Sequence, residues 1–217
     1  FYSMKKMFSL VILHITASFL YAQSATEFLT RYNNHIDPLK RLDSISTLIV
    51  TVKSKITGKS SSIGGSIFGQ VNIDETHICE YDSKGNEKCE NTKNQIPLEL
   101  NLMKQSDDAQ YNQIKYHLNI IPPQTFKFYK VTLANDSIFL LERIISLTQK
   151  HIFKFDAESL NLLETENSNI TSSGDKFVSY TKYLHYQTKE GILIPSIVSY
   201  SSTFCEAVLE YKQITFR

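Results

Sequence analysis

The chain has 217 residues, of which 41% are hydrophobic and 21% are charged, a composition typical of a folded protein rather than a disordered one. Its length suits one domain that buries roughly two-thirds of its unfolded surface. The formal net charge is only +1 and no basic stripe stands out, so the sequence predicts no nucleic-acid partner. Seven glycines and five prolines exclude collagen-like and linker-rich architectures.

The first 22 residues have the layout of a secretory signal peptide. A lysine pair precedes the apolar run Met7–Leu20, which is shorter than the ~20 residues that cross a bilayer comfortably. Cleavage is expected after Ala22, which leaves residues 23–217 as a single exported domain. A buried core helix is the alternative, but the lysine pair and the polar switch at Gln23 do not suit it. No later segment is long and apolar enough to span a membrane.

Three amphipathic helices are predicted in the mature chain. Ser24 and Glu27 match a capping box, and the apolar stripe Phe28, Leu29, Tyr32 and Ile36 follows them at spacings of three and four. A short second helix restarts at Pro38, with the stripe Leu39, Leu42 and Ile45. In mid-chain, Asp107 and Asp108 precede a third stripe, which Pro122 ends. All three helices are expected to cover a sheet, and the first two could instead form a mobile lid.

The remaining patterns are those of antiparallel β-strands. Apolar residues alternate at Leu48, Val50 and Val52, and from about residue 126 strands recur at roughly ten-residue intervals. Phe126 and Phe128 are expected on one face of the first of these later strands. The longest predicted hairpin is Phe177–Tyr200. It turns at Gly191, where glycine supplies the positive φ that other residues reach at a cost.

Three cysteines are compatible with an oxidising compartment. Cys79 and Cys89 are symmetric about the tip of a predicted hairpin, and opposed strand positions bring Cβ atoms close enough for a disulfide. The alternative is a metal site that includes His77, but it lacks a fourth ligand and any C-x-x-C spacing. Cys205 is expected to be a small buried residue.

No pattern predicts a catalytic, metal or cofactor site. The six histidines are scattered and no nucleophile–base pair is visible, so an exported hydrolase is the weakest hypothesis. The chain contains 13 Phe, 12 Tyr and no Trp. This density exceeds what covering one flat sheet demands, and it favours a hydrophobic cavity.

Several loose motifs together resemble a known family. They are a leader that ends in Ala-Gln, FLxxY at Phe28–Tyr32, LxxLxxIxxL at Leu39–Leu48, FDAESL at Phe155–Leu160 and YxxYxxxxGIxxP at Tyr183–Pro195. The last is the most specific. Over nearly the whole mature chain they resemble exported proteins of the outer-membrane lipoprotein carrier (LolA-like) superfamily, especially divergent forms in Bacteroidota-type bacteria.

The resemblance implies a mainly β (α+β) fold. Its core would be a curved, unclosed antiparallel β-barrel, with an N-terminal helix and a mid-chain helix covering its mouth. Carriers of this superfamily hold lipoprotein acyl chains in such a half-barrel while crossing the periplasm. A lipid or lipoprotein acyl chain is therefore the expected partner, and an envelope protein is a second.

Two functions remain open from the sequence, and cavity volume would separate them. One is a periplasmic carrier or binding protein for acyl chains, and the other is a non-enzymatic envelope interaction or scaffold module filled by its own aromatic side chains. The residues expected to line a ligand cavity are Phe126, Phe128, Tyr180, Leu184, Tyr186, Ile192 and Ile194.

Overall fold

The computed structural model describes most of the chain from Ser24 onward. The described residues are 24–58, 62–63, 66–67, 72–84, 86–90, 114–115, 118–203 and 205–217. The predicted signal peptide lies outside them, and so does most of the predicted mid-chain helix.

Ten strands form one antiparallel sheet. In chain order they are β1 (Thr47–Gly58), β4 (Asn72–Asp82), β5 (Glu87–Glu90), β6 (Tyr129–Asn135), β7 (Ile138–Ile144), β8 (Gln149–Asp156), β9 (Leu162–Ile170), β10 (Lys176–Lys189), β11 (Ile192–Ser202) and β12 (Cys205–Phe216). The order across the sheet is β5-β4-β1-β12-β11-β10-β9-β8-β7-β6. Two further short strands, β2 (Ser62–Ile63) and β3 (Ser66–Ile67), pair only with each other among the described strands.

The sheet is not closed into a barrel, because its outermost described strands, β5 and β6, do not pair with each other. The strand registers shift between Thr51 and Val52 in β1 and between Lys154 and Phe155 in β8. Such irregularities bend a strand and increase its twist. The predicted unclosed antiparallel fold is confirmed.

One face of the sheet, which we call the inner face, is packed against the helix α1 (Ala25–Ile36). The helix begins as predicted, because the Glu27 amide donates a hydrogen bond to the Ser24 side chain at 3.1 Å. All four residues of its predicted apolar stripe are buried, at 0–1% exposure. The alternating residues Leu48, Val50 and Val52 of β1 are likewise buried, at 2–4% exposure.

The mid-chain helix is described only at its end. Ile114 and Lys115 are helical, and Asn119 has a left-handed φ of 60°. The Ile120 amide donates to the Lys115 carbonyl at 2.9 Å, the hydrogen bond that closes a helix through a left-handed residue. This helix therefore ends before the predicted stop at Pro122.

The prediction that Phe126 and Phe128 lie in a strand is wrong. Residues Pro123–Phe128 form a 3-10 helix, and β6 begins only at Tyr129. Proline at the first position of a helix lacks only an amide that would be unpaired there. The Thr125 hydroxyl and amide both donate to the Pro122 carbonyl, at 2.7 and 2.9 Å, which fixes the turn.

The hairpin β10–β11 turns at two left-handed residues, Glu190 at φ 52° and Gly191 at φ 83°. Lys189 and Ile192 pair directly across this turn, as in the two-residue turns that match the twist of the strands. Pro195, further along β11, lies outside the part of that strand that pairs with β12, which is Ile197–Ser201. Its missing amide therefore breaks no ladder bond to β12.

The outermost strand β5 is held to β4 by a covalent bond. Cys79 and Cys89 lie directly opposite each other in the register of the two strands, and a disulfide joins them. Cys79 is fully buried in the core, whereas Cys89 is half-buried. The third cysteine, Cys205, is a free thiol of intermediate exposure.

Candidate functional site

Beneath α1 the inner face is filled by aromatic rings. Phe28 of α1 lies 5.2 Å from Phe139 and 5.0 Å from Phe155, measured between ring centroids, and Tyr32 lies 4.8 Å from Phe155. We call these four residues the aromatic cluster. Edge-on and tilted ring pairs of this kind add stabilisation to that of buried area.

The helix α1 is also held by polar contacts to the residues that follow the mid-chain helix. The Tyr32 hydroxyl donates to the Asn119 carbonyl at 3.1 Å. The Asn33 side chain both donates to the Ile121 carbonyl, at 2.7 Å, and accepts from the Ile121 amide, at 3.1 Å. Burial raises the pKa of Tyr32 well above its usual value, so its hydroxyl stays protonated and remains a donor.

A cavity of about 390 Å³ lies between α1 and this segment, within the range of small-molecule sites. The residues that line it are Thr30, Asn33, Asn34, Asp37, Lys40, Leu42, Asp43, Lys115, Ile120, Pro123 and Phe126. An ion pair between Lys115 and Asp43 lies among them. Phe126 is one of the predicted lining residues.

Further along the inner face, polar side chains replace the aromatic ones. Thr165 of β9 and Thr181 of β10 lie directly opposite each other and are 4% and 1% exposed. Asn167 lies two residues beyond Thr165 on the same face of β9. Within the described part of the chain, the Thr181 hydroxyl and the Asn167 amide nitrogen are buried without a hydrogen-bond partner, whereas the Thr165 hydroxyl interacts with the Tyr183 hydroxyl. We call these three residues the polar cluster.

Two buried titratable residues flank the polar cluster, and both are uncharged at neutral pH. His151 of β8 lies opposite Asn167; burial, with the nearby Arg143 guanidinium, lowers its pKa to about 4. Burial also raises the pKa of Tyr183 well above its usual value, although interaction with the Thr165 hydroxyl opposes the shift.

A second cavity, of about 200 Å³, reaches Asn167 from the side of β8–β11. It is lined by Gln149, Asn167, Ser168, Asn169, Phe177, Val178, Ser179, Tyr200, Ser202 and Thr203. None of these described lining residues carries a charge. The cavity therefore suits an uncharged group that forms hydrogen bonds.

A serine–histidine pair that sequence analysis did not find lies in β1 and β4. Ser54 Oγ is 2.9 Å from His77 Nε2, and the two residues are 0% and 4% exposed. Among the described residues, no group bonds the other ring nitrogen, Nδ1, whereas a catalytic histidine is normally oriented there by a third group. A nucleophile must also reach its substrate, so this geometry is that of a hydrogen-bonded core pair.

The residues expected to line a cavity divide into two groups. Phe126, Ile192 and Ile194 are buried at 0–6% exposure, and the half-buried Tyr186 donates to the Leu162 carbonyl at 2.7 Å. The other three, Phe128, Tyr180 and Leu184, are exposed by 53%, 36% and 42%. For these three the prediction is corrected, because their side chains lie away from the buried inner face.

Tyr180 and Leu184 face outward because they alternate with the buried Thr181 and Tyr183, whereas Tyr186 turns inward for a backbone reason. His185 adopts a left-handed φ of 53°, which interrupts the strict alternation of side chains along a strand. Tyr183 and Tyr186 are therefore both directed toward the core, although their odd separation would place them on opposite faces of a regular strand.

None of the described helices is long and apolar enough to cross a membrane. In the same part of the chain, no three or more His, Cys, Asp or Glu side chains are grouped as metal ligands would be.

Comparisons with known proteins give structural likenesses only, since no family model and no curated protein matches the chain. A LolA superfamily protein from Nitrosomonas europaea is 14% identical, with 90% of this chain and 94% of that chain covered at a TM-score of 0.47. A putative outer membrane lipoprotein-sorting protein domain from Vibrio parahaemolyticus is 11% identical, with 88% and 92% covered at 0.44.

A third similar structure is a DUF1329 family protein from Desulfovibrio piger, 9% identical, with 90% and 93% covered at a TM-score of 0.46. At such identities and TM-scores, the function has to be argued from the residues of the chain itself.

Proposed function

We propose that the chain is a periplasmic carrier or binding protein for lipid acyl chains, which it holds on the inner face of the open sheet. One observation carries the proposal: an apolar face that spans many strands is packed, among the described residues, against the amphipathic helix α1 and against Ile114, Leu118 and Ile121. The buried apolar residues of the sheet include Leu48, Val50, Leu141, Phe153, Phe155, Leu162, Ile192, Ile194, Val198, Leu209 and Ile214.

The energetics of such a site are favourable. Burial of an acyl chain contributes ~0.8 kcal/mol per CH₂, so a chain of ordinary length gains enough to compete with the side chains of α1. The apolar stripe of α1 occupies the inner face in this structure. We therefore assign α1 the role of a lid whose apolar side chains give way to the ligand.

We also propose that the protein is located outside the cytoplasm. The leader layout, the disulfide between Cys79 and Cys89 and the LolA-like motifs all favour an oxidising, extracytoplasmic compartment.

A filled interaction module is the second candidate, and the aromatic cluster favours it. The rings of Phe28 and Tyr32 pack directly on Phe155 and leave no room there for a ligand while α1 is in place. The two functions differ in whether α1 can be displaced.

Native mass spectrometry of residues 23–217, purified from a periplasm, tests the proposal. The carrier predicts a bound lipid that solvent extraction removes, and a higher bound fraction in Phe28→Ala, because that change weakens the grip of the lid. Phe128→Ala removes an exposed ring and serves as the matched control with unchanged occupancy. Bare masses for all three folded proteins would contradict the carrier and leave the interaction module.

A further inference from the structure

The polar cluster holds hydrogen-bonding capacity that the fold does not use. The Thr181 hydroxyl and the Asn167 amide nitrogen are buried and, among the described residues, unpartnered, whereas the Thr165 hydroxyl between them interacts with the Tyr183 hydroxyl. Buried polar groups are almost always paired, because an unpaired group loses its bonds to water and gains nothing in return. Two such atoms on neighbouring positions of two paired strands point to a group that binds between them.

We propose that the polar cluster binds the uncharged ester or amide group that joins an acyl chain to its head group. This inference rests on the proposed carrier function and names the part of the ligand that the chain recognises. The Asn167 nitrogen can only donate, whereas the two hydroxyls can donate or accept. A carbonyl oxygen, which accepts two hydrogen bonds, therefore satisfies Asn167 together with Thr181.

The surroundings of the cluster select against a charged ligand. No described residue that lines the adjoining 200 Å³ cavity is charged. His151 and Tyr183, which flank the cluster, are both neutral at pH 7 because they are buried. A carboxylate or phosphate in this position would lose its hydration, and no residue that lines the cavity would supply an opposite charge. The guanidinium of Arg143, beside His151, lies over the rings of Phe128 and Tyr129 instead.

The spacing along the strands suits one amphiphile. Thr165 lies three residues from Leu162 on β9, roughly 10 Å at the rise of a strand. Leu162 pairs with Phe155 of the aromatic cluster. A polar group at Thr165 and Thr181 thus places the attached acyl chain on the inner face that α1 now covers.

Binding of two probes to the mature chain tests the inference: 1-monopalmitoylglycerol, which has an ester, and hexadecane, which has the same chain length and no polar group. The wild-type protein should bind the monoglyceride more tightly. Thr181→Val should weaken monoglyceride binding about fivefold to tenfold, in keeping with one lost hydrogen bond, and leave hexadecane binding unchanged. Thr188→Val, an exposed position of the same strand, is the matched control.

Thr181→Val also has a prediction that needs no ligand. Because the hydroxyl has no partner among the described residues, its replacement by a methyl group should leave the unfolding temperature of the empty protein unchanged or raised. A lowered unfolding temperature would mean that ordered water already occupies the cluster, and it would overturn the inference. Asn167→Leu, which removes the other unpartnered polar group, gives the same test if the first variant does not fold.

The two proposals fail in different ways. If neither probe binds the wild-type protein, the carrier function fails and the polar cluster loses its ligand. If both probes bind equally well, or if Thr181→Val leaves the monoglyceride affinity unchanged, the carrier function stands and recognition of an ester is wrong. Tighter binding of palmitate than of the monoglyceride would also overturn it, since the cluster would then prefer a charged group.

Discussion

The aromatic cluster and the polar cluster lie on the same inner face but differ in chemistry. The first consists of packed rings, and the second consists of buried hydrogen-bonding groups. Around Phe155 two rings of α1 pack closely and fill space, so the stability of the fold depends on shape. The Thr181 hydroxyl and the Asn167 amide nitrogen are also buried, but they have no partner among the described residues. We infer that the first region provides stability and that the second reserves bonding capacity for a ligand.

The largest expected change in stability is at the aromatic cluster. Phe155→Ala deletes a fully buried ring that contacts both Phe28 and Tyr32, and it should lower the free energy of unfolding by about 3–5 kcal/mol. Phe128→Ala, at a 53% exposed ring, should lower it by less than about 1 kcal/mol. Urea titrations measure both values. A Phe155→Ala variant as stable as the wild type would end the distinction between the two regions.

The free energy of unfolding should depend on pH through His151, which flanks the polar cluster. Its pKa is lowered by burial, and further by Arg143, to about 4, compared with ~6.5 in an unfolded chain. Between these values the unfolded state binds a proton that the folded state does not, so stability falls as the pH falls through 6.5 and levels off below 4. From pH 7 to pH 5 the loss should be about 2 kcal/mol.

The control for this prediction is His151→Gln, which cannot titrate. The difference in unfolding free energy between wild type and variant should shrink by the same amount between pH 7 and pH 5. A difference that does not change with pH would show that His151 is already protonated in the folded state or freely exposed.

The smallest expected change in stability distinguishes the hydrogen-bonded Ser54 hydroxyl from the unpartnered Thr181 hydroxyl. Ser54 Oγ is bonded to His77 Nε2 at 2.9 Å, and Ser54→Ala would leave a buried imidazole without that partner. The expected cost is about 1–2 kcal/mol, measured by thermal or urea unfolding. Thr181→Val should cost nothing. Equal costs at the two sites would mean that the Thr181 hydroxyl has a partner.

Elements with strong local signals could be predicted from the sequence. The cap at Ser24 and the turn at Gly191 depend on the residue type and its immediate neighbours. The alternation in β1 follows from the period of a strand. These signals predict antiparallel strands and an N-terminal helix, whereas the open half-barrel was implied by the resemblance of the motifs to the LolA-like superfamily.

The errors have causes that lie outside local patterns. Nothing in the sequence near His185 indicates its left-handed φ, and that single residue decides which neighbouring side chains turn inward. The pair of Ser54 and His77 depends on the register between β1 and β4, which only the folded sheet provides. One signal was available: Ser54 continues the phase of the buried residues Val50 and Val52, so a polar side chain in that position should have been expected in the core.

The unclosed sheet also affects how copies of the protein meet one another. An outermost strand presents backbone donors and acceptors that can pair with a strand of another molecule and start aggregation. Of the two outermost described strands, β5 is only four residues long and is fastened by a disulfide, and β6 exposes Lys130 on its surface. Short length and charge both discourage such pairing, so the two outermost described strands are poor templates for a strand of another molecule.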